Sequence, residues 1–154
     1  MADLIKHLRE RFEQGNHPFF GKLDMEIGQA SDGIVSLLIQ PSEWSALHNN
    51  APIIHSGLLT LLLDTVCGMA VMSSLGAPMA IATIDLKIDH IRDVAITQKL
   101  VIEATVVESS EAISYTDGQV REENSNLLVA KAVGSFMVGT KGPSIIAPDA
   151  EVNL

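Results

Sequence analysis

His55-Ser-Gly-Leu-Leu-Thr-Leu-Leu-Leu-Asp64-Thr-Val-Cys-Gly-Met-Ala-Val-Met-Ser-Ser-Leu75 is an apolar run with one carboxylate at its centre. Burying an unpaired charge costs several kcal/mol, comparable with the whole net stability of a domain. Asp64 must therefore be solvated in a cleft, paired, or used. The segment from Gly57 to Leu75 is near the length that spans a bilayer. However, Asp64 sits mid-run, Gly57, Gly68, Ser73 and Ser74 dilute it, and no Lys or Arg clusters at either end. A core helix is expected, starting near Ile54 and stopping before Gly76-Ala-Pro78. Being apolar nearly all round, such a helix has to be enclosed.

The flanking segments supply the enclosure. Beyond the helix the period changes to two: Ala82, Ile84, Leu86 and Ile88 alternate with Thr83, Asp85, Lys87 and Asp89. Leu100, Ile102, Ala104 and Val106 alternate likewise. Two further strands are expected, Ala112 to Arg121 and Leu127 to Met137, with their turn at Glu122–Asn126. Strict alternation implies an antiparallel sheet with one buried face, and Gly118 inside a strand suggests a bulge. Before the helix, Lys22–Gln29 and Ile34–Gln40 read as strands joined at Ser31-Asp32-Gly33, followed by a polar loop from Gln40 to Pro52. Ala2 to Gln14 reads as an amphipathic helix stopped by Gly15-Asn16-His17-Pro18, and residues from about 139 to 154 as a loose tail. The expected fold is α+β: five or six antiparallel strands wrapped around one long helix, in a single domain whose core spans about 22 to 138.

Composition limits the partners. The chain has 154 residues, 47% of them hydrophobic but only 4% aromatic, with a mean hydropathy of +0.26. Aliphatic side chains must fill the core, and so apolar a chain suggests that a second subunit covers part of its surface. A net charge of −9 and a pI near 4.8 argue against nucleic acid and anionic membranes. Met1–Glu10 carries no apolar segment of the kind a secretory signal uses, and Cys67 is the only cysteine. A reducing cytoplasm is the expectation, with no disulfide. The histidines lack metal-ligand spacing and no glycine-rich phosphate loop is present, so no metal and no cofactor are expected.

Gly57, Thr60, Cys67 and Gly68 fall on the same helical face as Asp64, leaving room beside the carboxylate for a ligand or a close neighbour. The plain alternative is an Asp bonded to a backbone amide or to Thr60 and facing water. His55-Ser56-Gly57 is expected in the first turn, where free N–H groups and the helix dipole attract negative charge. Amides aimed at a carbonyl oxygen make an oxyanion hole, where one donor is worth about 3–4 kcal/mol. Ordinary capping and close packing explain the small residues equally well, but not the histidine beside them. Asp64 lies eight residues from Ser56, roughly 12 Å along the axis. If both are catalytic, the carboxylate must come from a second copy of the helix, in a homodimer or homotetramer.

Asn49, then His55-Ser56-Gly57 six residues on, then Asp64 nine residues after that histidine resembles the active-site signature of the hotdog-fold acyl-CoA thioesterases of the phenylacetate-pathway (PaaI-like) type. The stretch Thr83-Ile-Asp-Leu-Lys-Ile-Asp-His-Ile-Arg92 resembles the strand that follows the helix in that family. The resemblance covers about Ile34 to Val138. It implies a hotdog fold and hydrolysis of an acyl-CoA to a free acid and coenzyme A. Asp64 would be the base for water or a nucleophile, the amides of Ser56 and Gly57 would polarise the thioester carbonyl, and Asn49 would orient water or carbonyl. His55 would support the loop, and Thr83 would stand near the attacking water, although threonine also simply favours strands. Arg92, Lys87 and Lys141 are the basic residues nearest that strand and the tail; Arg92 and Lys87 would be the ones to meet coenzyme A phosphates, with a solvated surface position as the plain alternative for each. Ser56 stands where the family has glycine and Asp93 where it has proline, which bears on substrate choice. Two other classes compete: a non-catalytic acyl-CoA binder, and an enoyl-thioester hydratase or dehydratase, for which the His-Phe-Pro-Gly type of segment is missing.

Overall fold

The computed structural model describes residues 20–48, 51–75 and 79–141. The expected N-terminal helix over 2–14, the helix stop at 76–78 and most of the tail lie outside them. Six strands form one antiparallel sheet: β1 (Asp24–Ser31), β2 (Ile34–Gln40), β5 (Ile81–His90), β6 (Leu100–Ser109), β7 (Ile113–Glu122) and β8 (Leu128–Val138). Their order is β1-β2-β6-β7-β8-β5, and a separate hairpin, β3 (Ala46–His48) with β4 (Ala51–Ile54), precedes the helix α1 (Ser56–Ser74). The hairpin replaces the expected loop from Gln40 to Pro52, and the expected helix start at Ile54 is the end of β4. Asn-Asn between two short apolar stretches is hairpin sequence, which was the available signal.

The helix lies across the inner face of the sheet. Twelve of its nineteen residues are buried, and Leu62, Leu63, Val66 and Cys67 are fully so. They meet Val35, Leu37 and Ile39 of β2, Leu100 and Ile102 of β6 and Phe136 of β8 in one core. Each such aliphatic side chain contributes roughly 1.5–3 kcal/mol by leaving water. Asp32 and Gly33 take positive φ (51° and 80°), as a two-residue turn between twisted strands requires. The Gly33 N–H donates to Ser73 Oγ at 3.0 Å, tying that turn to the end of the helix.

Gly118 is not at a bulge. It pairs in regular register with Ala104 and Ala132, and the irregularities of those ladders fall elsewhere. Its role is close approach: a Cβ there would stand 3.0 Å from Cys67 Sγ and 3.2 Å from Leu63 Cδ2.

The strict alternation expected in the strand after the helix also breaks. A bulge at Ile84 interrupts β5, where Thr83 pairs with Phe136 and Asp85 with Ser135. Thr83, Leu86 and Ile88 consequently stand opposite the buried Phe136, Gly134 and Ala132, on the inner face. Ala82, Asp85 and Lys87 stand opposite Met137, Ser135 and Val133, on the outer one. In a regular strand of this sequence, three residues apart, Thr83 and Leu86 would lie on opposite sides of the sheet. The bulge puts a hydroxyl and the apolar half of β5 on the same side as the helix.

Candidate active site

Asp64 is half-buried on α1, and its Oδ1 accepts a hydrogen bond from Thr83 Oγ1 at 2.9 Å. Among the described residues this is the carboxylate's one hydrogen bond, which leaves Oδ2 open. Thr60 does not share it: its hydroxyl bonds back to the Ser56 carbonyl at 3.3 Å. The small-residue face of the helix divides at this point. Gly57 and Thr60 are exposed, whereas Cys67 and Gly68 are buried against the sheet. Only the half on the N-terminal side of Asp64 leaves room for a ligand.

One turn beyond the carboxylate, burial pushes the Cys67 thiol up to about 11; a hydrogen bond with Thr116 acts the other way, and the charges of Asp64 and Asp117 add to the rise. A thiol so protonated is a packing group at neutral pH, not a nucleophile.

At the start of α1, His55 is the N-cap and not part of the first turn as expected: its backbone is extended (φ −65°, ψ 127°). Its own N–H donates to the Ser45 carbonyl, and its carbonyl accepts from the Leu58 N–H, each at 2.9 Å. Its ring Nδ1 accepts from the Gly57 N–H at 2.9 Å. Of the two amides expected to polarise a carbonyl, Gly57's is therefore already engaged. The Ser56 N–H has no acceptor among the described residues.

Backbone bonds draw the connection after β5 onto this corner. Ile54 N–H meets the Val94 carbonyl and Ile96 N–H the Pro52 carbonyl, each at 2.9 Å. The result is a cavity of about 270 Å³ in which Ser56, Ile54 and Leu59 face His90, Arg92 and Val94. Arg92 thus shares a cavity with the first helical residue, while Lys87 does not: it lies on the outer face of β5 and makes a 2.7 Å ion pair with Asp89. Asn49 falls between β3 and β4, outside the described residues.

The match to known proteins follows the same segments. A model of the thioesterase superfamily matches residues 51–129, half of the chain. A Halobacterium salinarum protein named as an esterase is 32% identical over 107 residues, covering 66% of this chain and 68% of that one. The chain belongs to the thioesterase superfamily. Zebrafish thioesterase superfamily member 2 superposes with a TM-score of 0.74 at 21% identity, over 86% of this chain and 96% of its own. A Streptococcus pneumoniae thioesterase protein solved with coenzyme A gives 0.69 at 22%, over 92% and 99%. These neighbours carry the hotdog fold, a curled antiparallel sheet around one helix, as in this chain.

In this thioesterase-superfamily chain, the residues singled out from sequence gather at two places. His55, Ser56 and Gly57 lie at the helix N-terminus with Arg92 on the cavity that Ser56 also lines, and Asp64 meets Thr83 two turns further on. The separation of roughly 12 Å between Ser56 and Asp64 remains, because one straight helix carries both. Two features lay beyond sequence reasoning: the bulge at Ile84 that turns Thr83 inward, and the engagement of Gly57 by the histidine. Both depend on how neighbouring segments pack.

Proposed function

We propose that this protein is an acyl-CoA thioesterase of the phenylacetate-pathway type, working in the cytoplasm as a homodimer or a pair of homodimers. The observation that carries the reading is the Thr83–Asp64 hydrogen bond, which fixes a half-buried carboxylate with one oxygen free on an otherwise uncharged helix. Water attacks the thioester carbonyl while Asp64 Oδ2 takes its proton. The carbonyl oxygen becomes an oxyanion opposite the Ser56 N–H. Collapse of the tetrahedral species breaks the C–S bond, and the coenzyme A thiolate leaves and is protonated. In the alternative course Asp64 attacks first and forms an anhydride that water then opens. Asn49 is assigned to orienting water or carbonyl, on the family resemblance. Arg92, in the cavity beside Ser56, is assigned to a substrate phosphate; the pneumococcal relative holding coenzyme A supports that class of ligand.

The shared site follows from distance. Within one copy the Ser56 amide and Asp64 are too far apart to meet one carbonyl. The exposed half of α1 (Ser56, Gly57, Thr60) has no charged side chain to keep it wet, and β5 is a ten-residue edge strand with an exposed Ile84. Both are surfaces that a second copy can cover.

The test combines two inactive variants, Asp64→Ala and Ser56→Pro. Proline suits the first helical position, the Ser56 N–H makes no bond to another described residue, and His55 already has the extended backbone that precedes proline. Mixed heterodimers should regain activity, measured as thiol release from a panel of acyl-CoAs, because one of their two sites draws both intact halves. Exchanged heterodimers that stay inactive overturn the shared site. A wild type that binds acyl-CoA without releasing thiol makes the protein a binder instead.

A further inference from the structure

The direction of the Ser56 N–H is set by the first turn of α1, and one side chain holds that turn at its start. Helix N-caps are ordinarily Ser, Thr, Asp or Asn, whose side-chain oxygens accept a hydrogen bond throughout the neutral range. Here the acceptor is an imidazole nitrogen, His55 Nδ1, 2.9 Å from the Gly57 nitrogen. It accepts only while it is unprotonated, so the neutral ring carries its proton on Nε2. Gly57 is what lets the ring lie there: a Cβ at that position would stand 2.9 Å from Nδ1 and 3.1 Å from Cε1.

Protonation reverses this bond. Nδ1 acquires a hydrogen that faces the Gly57 N–H, and a cation then sits at the positive end of the helix dipole. His55 is exposed, so solvent protons reach it. The charged and titratable groups on the described elements around it are Glu43 on the 3-10 turn Glu43–Ser45, His90, Arg92 and Asp93 lining the adjoining cavity, and Asp64 further along α1. Among the described residues the one salt bridge is Lys87–Asp89, so none of their carboxylates is paired with the ring of His55.

We propose that His55 is a positioning residue that holds the Ser56 amide in line only while its ring is neutral. The enzyme then loses activity in acid through its cap, separately from any titration of Asp64. The inference rests on the thioesterase reading above.

The test compares the whole protein with His55→Asn and His55→Ala, following kcat and KM from pH 5 to 8 on a hydrolysed acyl-CoA, alongside imidazole and Gly57 amide ¹⁵N spectra. His55→Ala should lower kcat about tenfold at pH 8 with KM little changed, since the donor is misdirected and not removed. Asn accepts from Gly57 at every pH, so His55→Asn should recover most of that loss. Its profile should also lack a step present in the wild type, at the pH where Nδ1 gains its proton and the Gly57 amide shifts. The same step in His55→Asn, wild-type kcat in His55→Ala, or an Nδ1 already protonated at pH 8 overturns the proposal. A wild type that releases no thiol from any acyl-CoA overturns the functional reading itself, an outcome distinct from an active enzyme with an unaltered profile.

Discussion

Thr83→Val removes the hydroxyl that donates to Asp64 Oδ1 and leaves the shape of the side chain nearly unchanged. Valine is also β-branched and suits a strand, so β5 and its bulge should persist. A hydrogen bond to a charged group is worth about 1.5–3 kcal/mol when shielded from water. Thr83 is exposed and Asp64 half-buried, so water replaces part of what is lost and the lower end applies. About 1–1.5 kcal/mol corresponds to a five- to tenfold fall in kcat/KM, carried by kcat because the contact aims the base and does not hold the substrate. The assay is steady-state thiol release from the best acyl-CoA of the panel, with Thr83→Ser as the control that restores the hydroxyl and the rate. Wild-type kcat in Thr83→Val, or a loss that Thr83→Ser fails to repair, would refute the assignment and leave Thr83 as an ordinary strand residue.

Asp64→Asn should abolish hydrolysis while the far-ultraviolet circular dichroism stays unchanged; turnover near the wild-type rate would remove Asp64 from the mechanism. Gly134→Ala places a Cβ 2.9 Å from Thr116 Oγ1 and 3.0 Å from Phe136 Cε2. Overpacking of that kind costs about 2 kcal/mol, so Tm should drop by about 4–8 °C, and an unchanged melting curve would show that the core yields there. Folding raises the Cys67 thiol from 9.0 to about 11, so the native state keeps a proton that the unfolded chain releases first. The stability this thiol contributes is whole below pH 9 and is lost as pH rises toward 11, by about 2–3 kcal/mol. Urea denaturation at pH 8 and pH 10.5 should show that loss in the wild type and a smaller one in Cys67→Ala; equal losses would show that other groups account for the alkaline transition.

Much of this protein was legible in the order of its residues. An apolar run with a single carboxylate announced an enclosed helix, and period-two segments on either side announced the sheet that encloses it. The spacing of Asn49, His55 and Asp64 pointed to the family, and its part from Ser56 to Asp64 is fixed by the 1.5 Å rise of the helix whatever packs around it. That rise also forced the conclusion that Ser56 and Asp64 of one chain cannot serve one substrate carbonyl. Packing decided what spacing could not. Whether Thr83 faces the carboxylate depends on one extra residue in β5, because a single bulge exchanges the two faces of a strand. Gly118 and Gly134 mark close approach, which is set by what lies across from them. Which amide remains free at the helix start depends on the rotamer of His55, and the reach of Arg92, as against Lys87, depends on the backbone bonds that bring the connection after β5 onto β4. Local periodicity marks the long helix, the six strands of the main sheet and the chemistry they carry, whereas the β3–β4 hairpin is too short to show a period. Which side chains meet is settled by packing, because such contacts join segments far apart along the chain, and a shift of one residue redirects them.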